Sequence, residues 1–148
     1  MSKQAIQGSS ALLRLLVPAG KATPSPPVGP ALGQRGIKSM DFCKQFNDRT
    51  SSLAPGTPIP TVITVNPDRT FTFVTKTPPT MFLLKRAAGI EKGAGKPGKE
   101  IAGKVSLKHV YEIAKIKQQD EHMRHLSLDK ICGSIIGTAR TAGIQVVP

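Results

Sequence analysis

Two adjacent prolines, Pro78 and Pro79, set the first limit on how this 148-residue chain folds. Neither a helix interior nor a central strand passes through such a pair, because each ring fixes φ and removes a backbone donor. The residues on either side also follow different periods. Before the prolines, residues 11–17 (ALLRLLV) read as a short strand. Residues 61–65 (TVITV) and 70–75 (TFTFVT) are β-branched and aromatic, and Asn66-Pro67-Asp68-Arg69 divides them into a β-hairpin with Phe71 and Phe73 on one face. Ser39 opens a helical pattern with Asp41 in its first turn and Phe42, Cys43 and Phe46 on one side, broken across residues 51–60.

Beyond the prolines the apolar period is helical. A helix is predicted from Thr80 to Ala88, stopped by Gly89. A second runs over 107–119, capped by Ser106, with Leu107, Val110, Tyr111 and Ala114 as its core stripe. A third runs over 128–142, capped by Ser127, with Asp129 in its first turn. Its stripe is Leu128, Ile131, Cys132, Ile135, Ile136 and Ala139. Residues 144–147 add a short strand. The predicted class is α+β in two small domains. Residues 1–75 form a sandwich-like α/β unit with a hairpin and one main helix. Residues 76–148 form a three-helix domain with a short strand pair.

Residues 18–30 carry five prolines, which makes a stiff loop able to hold a surface shape. PxxP occurs twice in it, from Pro24 to Pro27 and from Pro27 to Pro30. An SH3-ligand reading is disfavoured, because the loop is embedded between regular elements.

Charge bounds the function. The chain has 21 Lys and Arg against 9 Asp and Glu, a net +12, and no window is apolar enough to span a membrane. Half the surplus sits in residues 76–108, where eight basic side chains face only Glu91 and Glu100. Concentrated charge points to a polyanion-docking surface, since neutralised phosphates release counterions. The first forty residues lack any acidic side chain and include Lys3 and Arg14, as organelle transit segments do. At most the first ten are expected to be dispensable.

Catalytic and metal readings fail on spacing. The loop 89–98 (GIEKGAGKPG) has Ile90 and Pro97 where a Walker A loop needs Gly and Ser or Thr. Gly93, Gly95 and Gly98 match GxGxxG, but a helix precedes them instead of a strand. The better reading is a flexible basic loop, ordered only by its partner, with Lys92, Lys96, Lys99 and Lys104 supplying charge. His122, His125, Cys43 and Cys132 lack zinc-ligand spacing, and no Ser, His and acid share a catalytic context. No enzyme, metal or cofactor is expected.

The last helix is more informative. Opposite its stripe stand Lys130, Gly133, Ser134, Gly137, Thr138, Arg140 and Thr141. Glycine inside a helix costs about 1 kcal/mol against alanine, so two of them one turn apart need a reason. A small-residue face edged by cations approaches a nucleic-acid backbone closely, and its hydroxyls suit ribose 2′-OH groups in a shallow minor groove. DNA recognition helices carry long side chains toward base edges, which favours folded RNA here. A DNA-binding three-helix module with an appended effector domain is the alternative. With only six aromatic residues, single-strand stacking is disfavoured.

The run Pro24-Ser25-Pro26-Pro27-Val28-Gly29-Pro30-Ala31-Leu32-Gly33 resembles the signature loop of the L-eleven family of large-subunit ribosomal proteins. Asp41-Phe42-Cys43-Lys44, Phe71-Thr72-Phe73-Val74, Lys76-Thr77-Pro78-Pro79, Ala87-Ala88-Gly89-Ile90 and Gly137-Thr138-Ala139-Arg140 are similar to the family in the same order. The resemblance implies a C-terminal domain docked on the GTPase-associated region of large-subunit rRNA. Its implied contacts are Lys76, Thr77, Lys85, Lys92, Gly93, Gly95, Lys96, Ser134, Gly137, Thr138, Arg140 and Thr141. Pro78 lies in the matching motif, and Lys104, Lys130 and Gly133 extend the same surface.

The resemblance further implies a mobile N-terminal domain facing translational GTPases and stalk-base proteins. The loop of Pro24, Pro26, Pro27, Val28, Gly29 and Pro30 would face an RNA cleft where thiopeptide antibiotics bind. Lys44 matches a lysine methylated in bacterial members. Residues 107–117 and the connection through His122 and Leu126 look more like mitochondrial members, so a mitochondrial ribosome is expected, with a bacterial cytoplasm as the alternative.

Overall fold

A computed structural model describes residues 10–26 and 28–148; the first nine residues, with Lys3, and Pro27 of the proline loop lie outside the described residues. The chain divides into two compact units, Met1–Lys76 and Thr77–Pro148.

In the first unit, β1 (Ala11–Pro18), β2 (Pro58–Val65) and β3 (Phe71–Thr75) form an antiparallel sheet in the order β1-β2-β3. Strand alternation sends Val17, Ile59, Ile63, Val65 and Phe73 inward. The helix α2 (Ser39–Thr50) covers that face with Phe42 and Phe46. The Phe42 ring meets Phe73 edge-on at 5.3 Å and lies 5.7 Å from Phe46, so the aromatic side chains build the core here.

Two sequence expectations change in this unit. The break assigned to residues 51–60 ends earlier, because β2 begins at Pro58. The Pro60 carbonyl accepts the Lys76 N–H at 2.9 Å, beyond the last residue of β3. Pro60 has no N–H to return to the Lys76 carbonyl, so this pair keeps only one of its two bonds and the ladder ends at Thr61 and Thr75. The proline loop is also shorter than expected, because Val28, Gly29 and Pro30 belong to a helix, α1 (Val28–Gly33). Pro30 is tolerated in that first turn, where backbone N–H groups have no helical acceptor.

The second unit packs α3 (Thr80–Ala88), α4 (Leu107–Gln118) and α5 (Leu128–Thr141) with a parallel pair, β4 (Gly103–Ser106) and β5 (Ile144–Val147). Ser106 caps α4, its hydroxyl accepting the His109 N–H at 3.4 Å. Ser127 holds the N-cap position of α5 but its side chain makes no capping bond.

The core stripe of α5 is centred as expected on Ile131, Ile135 and Ala139, while Ile136 is exposed at its margin. The stripe of α4 is rotated from the expected one. Val110, Ile113, Ala114 and Lys117 are buried, and Leu107 and Tyr111 face outward. A charged Lys117 hid the true stripe from sequence reading. Among the described residues, no helix is long and apolar enough to cross a membrane.

Candidate nucleic-acid interface

The exposed side of α5 carries Lys130, Gly133, Ser134, Gly137, Arg140 and Thr141, with Thr138 half-buried at its edge. A Cβ built on Gly133 or on Gly137 meets nothing within 4 Å. Neither glycine is required by packing within the protein, and both cost helix stability. The Thr138 hydroxyl donates to the Ser134 carbonyl at 3.1 Å, and that of Thr141 to the Thr138 carbonyl at 2.7 Å. Both protons are committed to the helix, so these oxygens face outward as acceptors, the complement of a ribose 2′-OH donor.

Arg140 stands between two shallow hollows. One is lined by Gly133, Ile136, Gly137 and β5; the other by Gly98, Lys99, Glu100, Ile101 and Gly143. Gln145, which borders both, escaped sequence reading because an isolated Gln in a four-residue strand carries no motif. It pairs in register with Lys104, setting an exposed amide beside an exposed cation.

The glycine-rich loop is not the loose segment expected from its composition. Its Ala94 N–H donates to the Ala142 carbonyl at 2.9 Å, and the Ala102 N–H donates to that of Gly143 at 2.8 Å. Gly143 has φ 72°, and a Cβ there would lie 2.4 Å from the Ala94 Cβ and 2.9 Å from the Glu100 oxygen. The glycines therefore let loop and helix end touch each other, and this docking carries exposed Lys92, Gly93, Gly95 and Lys96 to the C-terminal end of α5.

Other expected contacts stand on other elements. Lys85 is half-buried in the last turn of α3, and Lys76 closes the first unit. Thr77 and Pro78 are turned inward. The Thr77 N–H and hydroxyl donate to Asp120 at 2.9 and 2.7 Å, while the Lys117 ammonium donates to the Thr77 hydroxyl oxygen at 3.0 Å and the Pro78 carbonyl at 3.2 Å. Burial alone would raise the Asp120 pKa; the Thr77 donors and then Lys117 outweigh it and hold the carboxyl below its ordinary range. This cluster was invisible in sequence, because its members lie some 40 positions apart.

In the first unit, Pro24, Pro26 and Pro30 are exposed and Val28 is buried. Gly29 lies so close to Pro24 that a Cβ there would fall 1.9 Å from the Pro24 carbonyl oxygen. Asn47 clasps the loop's start, accepting the Ala22 N–H at 3.0 Å and donating to its carbonyl at 3.3 Å. Lys44 is exposed on α2 beside buried Cys43.

Fold and surface together define a basic, two-unit α+β protein whose helical half exposes a small-residue, cation-edged helix face. Family profiles match both halves: "Ribosomal protein L11, N-terminal domain" over residues 13–71, and "Ribosomal protein L11, RNA binding domain" over residues 76–146. The chain is 54% identical over 137 residues to the large ribosomal subunit protein uL11m of Schizosaccharomyces pombe, covering 93% of this chain and 95% of that relative. It is 50% identical over 137 residues to the large ribosomal subunit protein uL11 of Hydrogenobaculum sp., covering 93% of each. The chain belongs to the L-eleven family of large-subunit ribosomal proteins, which are structural proteins and not enzymes.

Proposed function

We propose that this protein is a non-catalytic constituent of the mitochondrial large ribosomal subunit. Its second unit binds and stabilises the GTPase-associated region of large-subunit rRNA, and its first unit serves stalk-base proteins and, transiently, translational GTPases. The contact surface is the exposed side of α5 with the docked glycine loop: Lys92, Gly93, Gly95, Lys96, Lys104, Lys130, Gly133, Ser134, Gly137, Thr138, Arg140 and Thr141. The two-domain division at residue 76 follows the same reading, with the proline loop and Lys44, a candidate for methylation, on the factor-facing unit. The mitochondrial assignment draws on the fungal relative, whose name is that of a mitochondrial-type protein.

One observation carries the RNA reading: Gly133 and Gly137 are open to solvent with no internal neighbour. Small residues kept at a stability cost, where the fold does not need them, fit a surface that something else approaches closely. Filter binding of the full chain to an rRNA fragment spanning the GTPase-associated region tests it. Gly137→Leu is expected to weaken binding by about a hundredfold, since a side chain stands the backbone off from the groove. Lys130→Ala is expected to weaken it several-fold and to lower the salt slope by about one. Equal affinity for an unrelated RNA or DNA duplex, with Gly137→Leu unaffected, refutes the reading.

A further inference from the structure

On the flank of α5 away from Ser134 lies an apolar groove of about 800 Å³, shared with α4 and meeting the RNA-facing side at Gly133. Leu107 and Tyr111, one turn apart on α4, form one wall; Cys132 and Ile136, one turn apart on α5, form the other. Leu107 is 50% exposed, Tyr111 43% and Ile136 38%, so three large side chains of core-like character stand together at the surface. Clustered apolar exposure of this kind marks a docking surface.

The rim identifies the partner's chemistry. In a chain with 21 cationic against 9 anionic side chains, the groove's lining carries Glu112 and Asp129 against Lys108, with the Lys115 ammonium 4.5 Å over the Tyr111 ring at its rim. The positive surplus found over the rest of the chain is absent here, so a phosphodiester gains little, while a protein segment whose Lys or Arg engages the Glu112 and Asp129 carboxylates is matched. Glu112 pairs with Lys115 at 3.3 Å, but both are solvent-exposed and exchange partners at little cost. A trough between two helices, with apolar pairs at i and i+4 on each wall, has the geometry that takes an amphipathic helix.

We propose that this groove docks an amphipathic helix of a neighbouring protein, with apolar anchors flanked by Lys or Arg, beside the RNA-facing side of α5. The proposal rests on the ribosomal reading only in placing the chain within a large subunit.

The test replaces Tyr111 with the photo-cross-linker p-benzoylphenylalanine in the full chain assembled into large subunits, and places the same probe at Thr141 in a second sample. The Tyr111 probe is expected to join a helical protein segment bearing Lys or Arg within a turn of apolar residues. Its yield should fall about tenfold with Glu112→Lys plus Asp129→Lys. Both carboxylates are exposed, and an unchanged melting temperature of the double variant shows that the fold is intact. Cross-linking to rRNA, to a second copy of this chain, to an acidic segment or to nothing overturns the proposal, as does a yield insensitive to the charge reversal. The Thr141 probe reads the RNA interface separately, so its failure to reach rRNA counts against the proposed function and not against the groove.

A second readout uses the free chain. Tyr111 is the sole tyrosine and tryptophan is absent, so intrinsic emission reports on this groove alone. A synthetic peptide of the cross-linked segment, itself free of Tyr and Trp, should change the intensity of that emission saturably, and Ile136→Asp should abolish the change. No response to the peptide overturns the proposal.

Discussion

The Lys117 ammonium lies 3.4 Å from the Asp120 carboxylate, with the two side chains only 11% and 5% exposed. Thr77 joins the pair through both its N–H and its hydroxyl, so the residue after Lys76 is fixed to the end of α4. Lys76 itself is hydrogen-bonded to Pro60. Each of these neighbouring residues is thus held within its own unit.

Removing the carboxylate is expected to cost more than removing the ammonium. Asp120→Asn leaves Lys117 with a buried, unneutralised charge, whereas Lys117→Met leaves Asp120 still accepting two bonds from Thr77. Breaking a buried pair from one side costs about 3–5 kcal/mol, and Asp120→Asn should approach the lower end, with Lys117→Met below it. Urea unfolding of the two variants gives the order directly, and the reverse order contradicts the assignment.

The same carboxylate sets an acid limb. Its pKa is lower in the folded protein than in the unfolded chain, so its contribution is fully present above the unfolded value of about 4. It is lost as pH falls through the folded value. Melting temperatures should therefore drop below about pH 4, and the drop should be shallower in Asp120→Asn. Equal acid limbs would show that Asp120 is not the responsible group.

This cluster also illustrates what a one-dimensional reading misses. The stripe of α5 was legible because Ile131, Ile135 and Ala139 are apolar at helical spacing and are also the buried residues. The stripe of α4 was not, because Lys117 is buried by virtue of Asp120 and Thr77, which no local window contains. Likewise β4 has only four residues and becomes a strand through pairing with β5 some forty positions away. The glycine loop looked disordered because its anchors, Ala142 and Gly143, lie at the far end of α5. The charged and small-residue candidates on α5 were readable, since helical geometry alone groups them. Gln145 and the inward turn of Thr77 needed the fold.

Thiol reactivity should separate the two units. Cys43 is buried against the aromatic core, and burial pushes its thiol pKa up; Cys132 is only partly covered at the groove of α5. Iodoacetamide at pH 8 is expected to modify Cys132 first, with Cys43 reacting only in denaturant. Mass spectrometry of partially labelled protein decides the order.

The junction between loop and helix makes Gly143 the glycine of α5 and its boundary least able to change. Gly143→Ala adds a methyl at a left-handed backbone position, 2.4 Å from the Ala94 Cβ and 2.9 Å from the Glu100 oxygen. Strain and overpacking together should cost about 2–4 kcal/mol and loosen the loop that carries Lys92 and Lys96. Hydrogen exchange should then show faster exchange at the Ala94 and Ala102 amides. Slow exchange retained at both would mean that the loop does not depend on this contact.

Gly137 should behave in the opposite way, and that contrast is the sharpest check on the interface. It has helical backbone geometry and nothing within 4 Å of an added Cβ, so Gly137→Ala should stabilise the free protein by about 1 kcal/mol. The same methyl projects from the surface proposed to lie against RNA, and affinity for the rRNA fragment should fall. The loss should be smaller than for Gly137→Leu, because one methyl displaces the backbone less than a branched side chain does. A gain in melting temperature with a loss of binding separates a glycine kept for an external partner from one kept for the fold. If Gly137→Ala raises stability and leaves affinity unchanged, the exposed side of α5 is not in close contact with the RNA.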